Sequence, residues 1–586
     1  MSTRQLLRYL ALPAIVIAAL PALAVAQSQG RIVIINGNAP NVGFNDPTPV
    51  APVGGNPGTT LGQQRLLAFQ HAADLWDAEL DTNINVEILA TFEPLSCTAT
   101  GAVLGSAGAT NVFRDFGANG LYPGVEFAGT WYPTALADKR IGVDILKLLG
   151  STAADIRARF NVNLGQPGCL PTRPWYLGFD GNEGNGIDLV AVLLHEFGHG
   201  LGFQQFAGQN GRYLGGSPTD PGFPDVFNRK IFDNTQNKSW LDMTEAQRAA
   251  SMINPRNVVF TGAEAIASVP LVLKGTPTLL VTEPANIAGI KAIGTAAFGG
   301  PLTALGVTGQ IRVGKDSTDP ANGPLESDGC SPLLNSAEIA GRIALLDRGT
   351  CGFTVKAKNA QDAGAAAVII ANNAAGAPPG LAGVDPTVTI PVASVSQADG
   401  NAIKAELLAT PAHVVQAFLG LDDARRAGAD TQNRPLLYTP NPFEPGSSVS
   451  HYDTSGNPNQ LMEPAINADL THNVKPPFDL TLPLLHDIGW FPDKDVDGLT
   501  NALDACPNAS DQRGTIFVGD ENTGVGNVLF TNGCSINDLI TLLADNAKNH
   551  GDFVSGITHL TNALIDGGFI EQSDKATIQV AAAQSK

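Results

Sequence analysis

Leu66, Phe69, Ala73 and Trp76 recur at alternating three- and four-residue steps, a spacing that predicts an amphipathic helix packed on a sheet. It follows a strand expected over Arg31–Asn36 and an irregular arm rich in Pro, Gly and Asn that ends at Thr60. Val86–Phe92 and Trp175–Phe179 are further strand candidates, the second stopped by the turn-forming Asp180-Gly181-Asn182. Asp188 is placed to cap a helix that runs through the apolar Leu189–Leu194 and ends at Gly202. Gly198, Gly200 and Gly202 each cost that helix about 1 kcal/mol relative to alanine, so their clustering predicts close backbone packing.

Near Ala265 the pattern changes. To about Gly420 the chain is rich in Ala, Gly, Val and Ile and poor in aromatics, with strands expected at Arg342–Asp347, Ala366–Ala371 and Ala393–Ser396 and a helix at Val355–Ala363. Such alternation reads as an α/β insert with its own core. From about Arg434 the aromatics and prolines return. The organisation expected is a leader at 1–26, a first segment at 27–265, the insert at 266–420, a second segment at 421–490 that completes the first, and a tail at 491–586 with helices near Ile536–Ala547 and Ile557–Ile565.

Arg4 and Arg8 precede an apolar run interrupted by Pro13 and Pro21 that closes in Ala24-Val25-Ala26, the pattern of a cleaved signal peptide rather than a membrane anchor. A secreted protein with no membrane span after processing is expected. With 35 Lys and Arg against 55 Asp and Glu, nucleic acid and anionic membranes are disfavoured as partners, and calcium is a better match. The six cysteines fall into neighbouring pairs, Cys97 with Cys169, Cys330 with Cys351 and Cys506 with Cys534, as expected for one disulfide per domain in an oxidising compartment.

The chemistry concentrates in His195-Glu196-Phe197-Gly198-His199. Residues four apart share a helix face, so His195 and His199 can hold one zinc ion while Glu196 acts as general base on a water. A catalytic zinc takes three protein ligands and keeps one open position. The residue three beyond Gly202 is Gln205, whose neutral amide oxygen binds zinc far more weakly than imidazole. Glu245 and Asp225 are weak candidates for the third ligand. A better one lies beyond the insert, in Ser450-His451-Tyr452 followed by Leu461-Met462-Glu463-Pro464.

There the chain resembles the leishmanolysin family of metzincin zinc proteases, matched at His195, Glu196, His199, Gly202, Phe203, Ser450, His451 and Met462 over roughly 31–265 and 421–490. The resemblance implies an α+β, metzincin-like catalytic domain split by the insert, His451 as third zinc ligand, and Met462 in a tight turn beneath the metal. This chain departs from the family in its few cysteines and its large insert. Gly341–Lys356 with Asn359–Ala365 resembles a protease-associated (PA) domain. Asp493, Asp495 and Asp497 before Gly498, with Asp504, resemble a thrombospondin type 3 calcium repeat, since alternate carboxylates suit a hard cation. His71, His472 and His486 read as structural, with His472 near enough to the Met462 turn to approach substrate, and the Tyr452 hydroxyl is a candidate support for the site. The function expected is a secreted zinc endopeptidase acting on proteins or peptides. The alternative is a non-catalytic adhesin or binding module with a structural zinc, a kind of site normally closed by a fourth protein ligand.

Overall fold

Strand β2, Val86–Glu93, alternates buried and half-buried residues along its whole length, the pattern of a sheet with one face on the core. In the computed structural model β1 (Ile32–Asn36) lies parallel to β2, which lies parallel to Ile156–Asn161. Gly105–Ala109 pairs antiparallel with Ile156–Asn161 and forms the other edge of this four-stranded sheet. The structure describes residues 31–585 except 81, 83, 117–124, 321–322, 410–412, 468, 492–504, 507–513 and 531–532. The expected leader and the four tail carboxylates Asp493, Asp495, Asp497 and Asp504 lie outside the described residues.

Helix α1, Leu61–Asp77, starts at a capping box in which Thr60 and Gln63 satisfy each other's backbone N–H groups. Phe69, Ala73 and Trp76 are buried as expected, but Leu66 is 38% exposed and Arg65 turns inward. The Arg65 guanidinium donates to the Gly43 carbonyl and lies 4.6 Å over the Phe92 ring, so its long stem fills the position that the spacing assigns to leucine. Phe69 packs edge-on against Phe160, with centroids 4.9 Å apart, and reaches Phe197 on the helix Leu189–Leu201, so both helices share one aromatic core with the sheet. Of Trp175–Phe179 only Trp175–Tyr176 is strand, because the Leu177 carbonyl is taken by the Asn56 side chain instead of a ladder partner.

The chain divides into two compact units, Leu273–Asn433 with Ser455–Asn457 forming the second. Its eight-stranded sheet has a parallel centre, Val307–Val313, Ile343–Asp347, Ala367–Ala371 and Val392–Val395. Ala367, Ile369 and Ala371 pack with Ile403 of the helix Gln397–Leu408, whereas Val368 and Ile370 pack with Ala357 and Ala360 of the helix Phe353–Asp362. Burial on both faces is why Ile343–Asp347 and Ala367–Ala371 read as nearly continuous apolar runs. This unit starts later and ends later than the expected 266–420. The helix Ala263–Val272 belongs to the first unit, and the strand Gln416–Arg426 carries the insert's sheet past Gly420. The disulfides are Cys97–Cys169, Cys330–Cys351 and Cys506–Cys534. The tail builds a small core of Ile516, Ile557, Leu564 and Ile578, but it falls within the first compact unit rather than standing apart, and it adds a helix, Gln572–Gln584, that the spacing did not indicate.

Candidate metal centre

The helix Leu189–Leu201 begins where the Asp188 carboxylate accepts from the Val190 and Ala191 N–H groups. Its glycines each admit a neighbour. A Cβ on Gly198 would stand 2.8 Å from Met462 Sδ, one on Gly200 2.5 Å from Ile156 Cγ2 of the sheet, and Gly202, at φ +125°, lets the chain turn out of the helix beside Ile488.

That turn brings Ser450-His451 to the helix. The Ser450 hydroxyl accepts from the Gln205 N–H, and His199 Nε2 lies 3.1 Å from His195 Nε2 and 3.2 Å from His451 Nε2. The opposite nitrogen of each ring meets a main-chain carbonyl: His195 Nδ1 at Leu461 (2.7 Å), His199 Nδ1 at Phe203 (2.7 Å) and His451 Nδ1 at Ser447 (2.9 Å). A carbonyl only accepts, so each Nδ1 carries the proton and each Nε2 presents a lone pair to the same point. Three converging lone pairs repel one another unless a cation lies among them, and this donor set fits zinc. Burial lowers all three imidazole pKa values, His195 to about 4, His451 to about 3 and His199 well below the ordinary range, with His451 and His195 adding to the effect at His199. The rings are therefore neutral, as metal ligands must be.

Glu196, on the same helix, is pushed up to about 8 by burial, against a hydrogen bond from the Ala107 main chain on the edge strand. The cleft above these groups measures about 1240 Å³ and is lined by Gly105, Ser106 and Ala107 of the edge strand with Val103 and Leu104 before it, by Glu196, and by residues 463–467 and 470–472, which follow Met462. Met462 itself is fully buried under the helix.

The other candidates are committed elsewhere. Gln205 Oε1 accepts from the Ala207 N–H, Glu245 forms a two-point ion pair with Arg212, and Asp225 accepts from the Phe206 and Asn228 N–H groups. The Tyr452 hydroxyl donates to the Leu480 carbonyl and its ring packs on Phe203, so it braces the turn rather than facing the cleft. His71 stacks on Phe179 and His486 contacts Glu264. His472 lines the cleft and meets Asp188 at 2.7 Å, joining the loop after Met462 to the start of the helix.

Sequence reasoning missed Asp479. Buried, it accepts from the Leu461 N–H and from both the N–H and the hydroxyl of Thr481, and so holds the carbonyl that orients His195. An isolated aspartate after prolines and a phenylalanine carries no local signal for that role.

Residues 317–403 match the PA domain family. Leucine aminopeptidase 2 of Trichophyton rubrum is 37% identical over 76 residues, 13% of this chain and 15% of that protein. Vacuolar-sorting receptor 2 of Arabidopsis thaliana is 30% identical over 151 residues, 23% of each chain. Among solved structures, a zinc aminopeptidase from Bacillus subtilis aligns at 24% identity and a TM-score of 0.18, covering 31% of this chain and 38% of its own. The chain spans less than a quarter of the length of the curated relatives it matches. No helix among the described residues is long and apolar enough to cross a membrane.

Proposed function

We propose that the chain is a secreted, zinc-dependent endopeptidase of the leishmanolysin-like metzincin type, with His195, His199 and His451 as zinc ligands, Met462 in the turn beneath them, and Glu196 as general base. The observation that carries this reading is the convergence of three Nε2 lone pairs beside a buried carboxylate at the floor of a cleft. Zinc in such a set supplies Lewis acidity toward a scissile carbonyl and acidifies water. Beside a dication on the three imidazoles the raised Glu196 pKa would fall back and leave the carboxylate ionised, able to take the proton of the attacking water and pass it to the leaving amine. The main-chain carbonyls of Leu461, Phe203 and Ser447 hold the three rings in register. The full histidine set with a carboxylate beside it, and no fourth His, Cys, Asp or Glu grouped with it among the described residues, argues against the adhesin alternative.

Substrate recognition follows from the sheet edge. Among the described residues Gly105–Ala109 pairs on one side only, and its Gly105, Ser106 and Ala107 line the cleft, so an extended peptide can add to the other side. Main-chain pairing of that kind reads internal stretches of polypeptide rather than a free terminus, which favours endopeptidase action. A second reading, aminopeptidase action, is favoured by the names of two of the matched relatives, both leucine aminopeptidases. The thrombospondin-type calcium repeat of the tail remains part of the proposal through Asp493, Asp495, Asp497 and Asp504.

Casein and a pair of quenched peptides, one N-acetylated and one free, separate the readings. Internal cleavage of both peptides is expected, abolished by a zinc chelator and reduced by about 10²-fold or more in Glu196→Gln, which keeps its zinc. Release of N-terminal residues from the free peptide alone would select the aminopeptidase. Unchanged turnover in Glu196→Gln would reject the mechanism.

A further inference from the structure

Three carboxylates from separate segments converge away from the histidine site. Asp138 lies on the helix Thr134–Ile141, Asp144 caps the short helix Ile145–Leu148, and Asp155 immediately precedes the strand Ile156–Asn161. One oxygen from each falls within 4.8 Å of the others. Asp138 Oδ1 accepts from the Ile145 N–H and Asp155 Oδ2 from the Glu87 N–H. The second oxygen of each, Asp138 Oδ2 and Asp155 Oδ1, meets no N–H or hydroxyl donor, although both residues are only 1% exposed, so without a cation the two carboxyls have only each other with which to share a proton, and burial raises both, Asp138 to about 8.

Two buried carboxylates side by side carry a repulsion and a desolvation cost that a proton shared between them offsets only in part and that a bound cation, displacing the proton, would offset for all three carboxylates. Lys147 brings one positive charge, but its ammonium is divided between Asp144 and Glu87 on the outer side of the group. Oxygen-only donors exclude soft metals as the preferred occupant. Magnesium demands near-ideal octahedral geometry and retains several waters, whereas calcium accepts irregular sets of carboxylate and carbonyl oxygens. We propose that Asp138, Asp144 and Asp155 hold a structural calcium ion. Its role follows from position. The ion ties the end of one helix and the following turn to the entrance of the strand whose Ile156 packs against Gly200, and so stiffens the sheet on which the histidine helix rests.

The test uses the full-length, zinc-loaded protein with calcium chloride as probe, followed by titration calorimetry and thermal unfolding at pH 7.5. Asp155→Asn and Asp144→Asn are expected to lose one calcium equivalent and the Tm rise of about 5 °C that accompanies it. A double variant, Asp493→Asn with Asp495→Asn, is expected to lose only the calcium of the tail and to keep the equivalent and the Tm rise that Asp144→Asn abolishes, which separates this site from the tail. Asp144 is the least buried of the three, so Asp144→Asn reports even where Asp155→Asn fails to fold. Calcium binding and a Tm rise in Asp144→Asn equal to those of the parent would overturn the proposal. So would a parent protein that calcium does not stabilise. A higher Tm in calcium-free Asp138→Asn together with no calcium effect in the parent would show that the pair shares a proton instead.

Discussion

His451 and Gln205 differ in what their side chains can give to the histidine pair on the helix. His451 directs a lone pair at His199 Nε2 from 3.2 Å, whereas the Gln205 amide oxygen is occupied by the Ala207 N–H and only its main-chain N–H reaches Ser450. Two histidines alone form a weak, open site, so His451→Ala is expected to cut zinc affinity by orders of magnitude. Gln205→Ala is expected to leave zinc stoichiometry unchanged. Metal analysis after dialysis of both variants beside the parent checks this without a substrate. Full zinc in His451→Ala with loss in Gln205→Ala would make the third ligand local. At this scale the sequence is read most directly where the chemistry is contiguous: His195, Glu196 and His199 with their Asp188 cap stand in one run. The third imidazole lies 252 residues from His199, and only a family resemblance pointed to it. The groups that fix the ring tautomers are main-chain carbonyls, which leave no mark in the side-chain alphabet.

Between helix and sheet the decisive contact is Gly200 against Ile156. Alanine at position 200 gains about 1 kcal/mol of helix propensity but sets a methyl 2.5 Å from Cγ2 of a fully buried, β-branched side chain. Overpacking of a closed core costs about 1–3 kcal/mol, so strain outweighs propensity and Gly200→Ala is expected to destabilise by about 1 kcal/mol in urea unfolding. A gain in stability would mean that the sheet yields and that the glycine cluster is not required by packing. The clustering of Gly198, Gly200 and Gly202 announced this close approach before any partner was known, because glycine inside a helix is unfavourable without one. Other elements were less legible. Arg65 replaces Leu66 on the inner face because a guanidinium that reaches a main-chain carbonyl can bury its stem, which a hydrophobic count treats as outward-facing. The strand at Trp175 is cut short by the Asn56 amide, a partner distant in sequence.

The inserted unit should be removable from the whole molecule if its boundaries are drawn where the hydrogen bonds place them. On the insert's side the ends are neighbours, since the Ala427 N–H donates to the Lys274 carbonyl. On the other side the helix Ala263–Val272 is fastened to the first unit, where the Asp487 carboxylate accepts from the Glu264 and Ala265 N–H groups, and Phe260 N–H donates to the Pro435 carbonyl. A cut at 266 would strip that helix of its core contacts, and a cut at 420 would leave half of the strand Gln416–Arg426 behind. Excision of 273–433 avoids both. A ten-residue helix is about 15 Å long, so a Gly/Ser linker of about six residues spans from Val272 back to Arg434. The cost is small: the Asn457 carbonyl, which accepts from the Lys274 N–H, is left to solvent. The shortened protein is expected to retain one zinc and to cleave a short quenched peptide within about tenfold of the parent rate, because every ligand, Glu196 and the edge strand belong to the first unit. Capture of long polypeptide substrates is where the PA-like segment would contribute, so casein and the short peptide are assayed together. A soluble product that binds no zinc would show the insert to be integral to the site and would overturn the reading of two separable units.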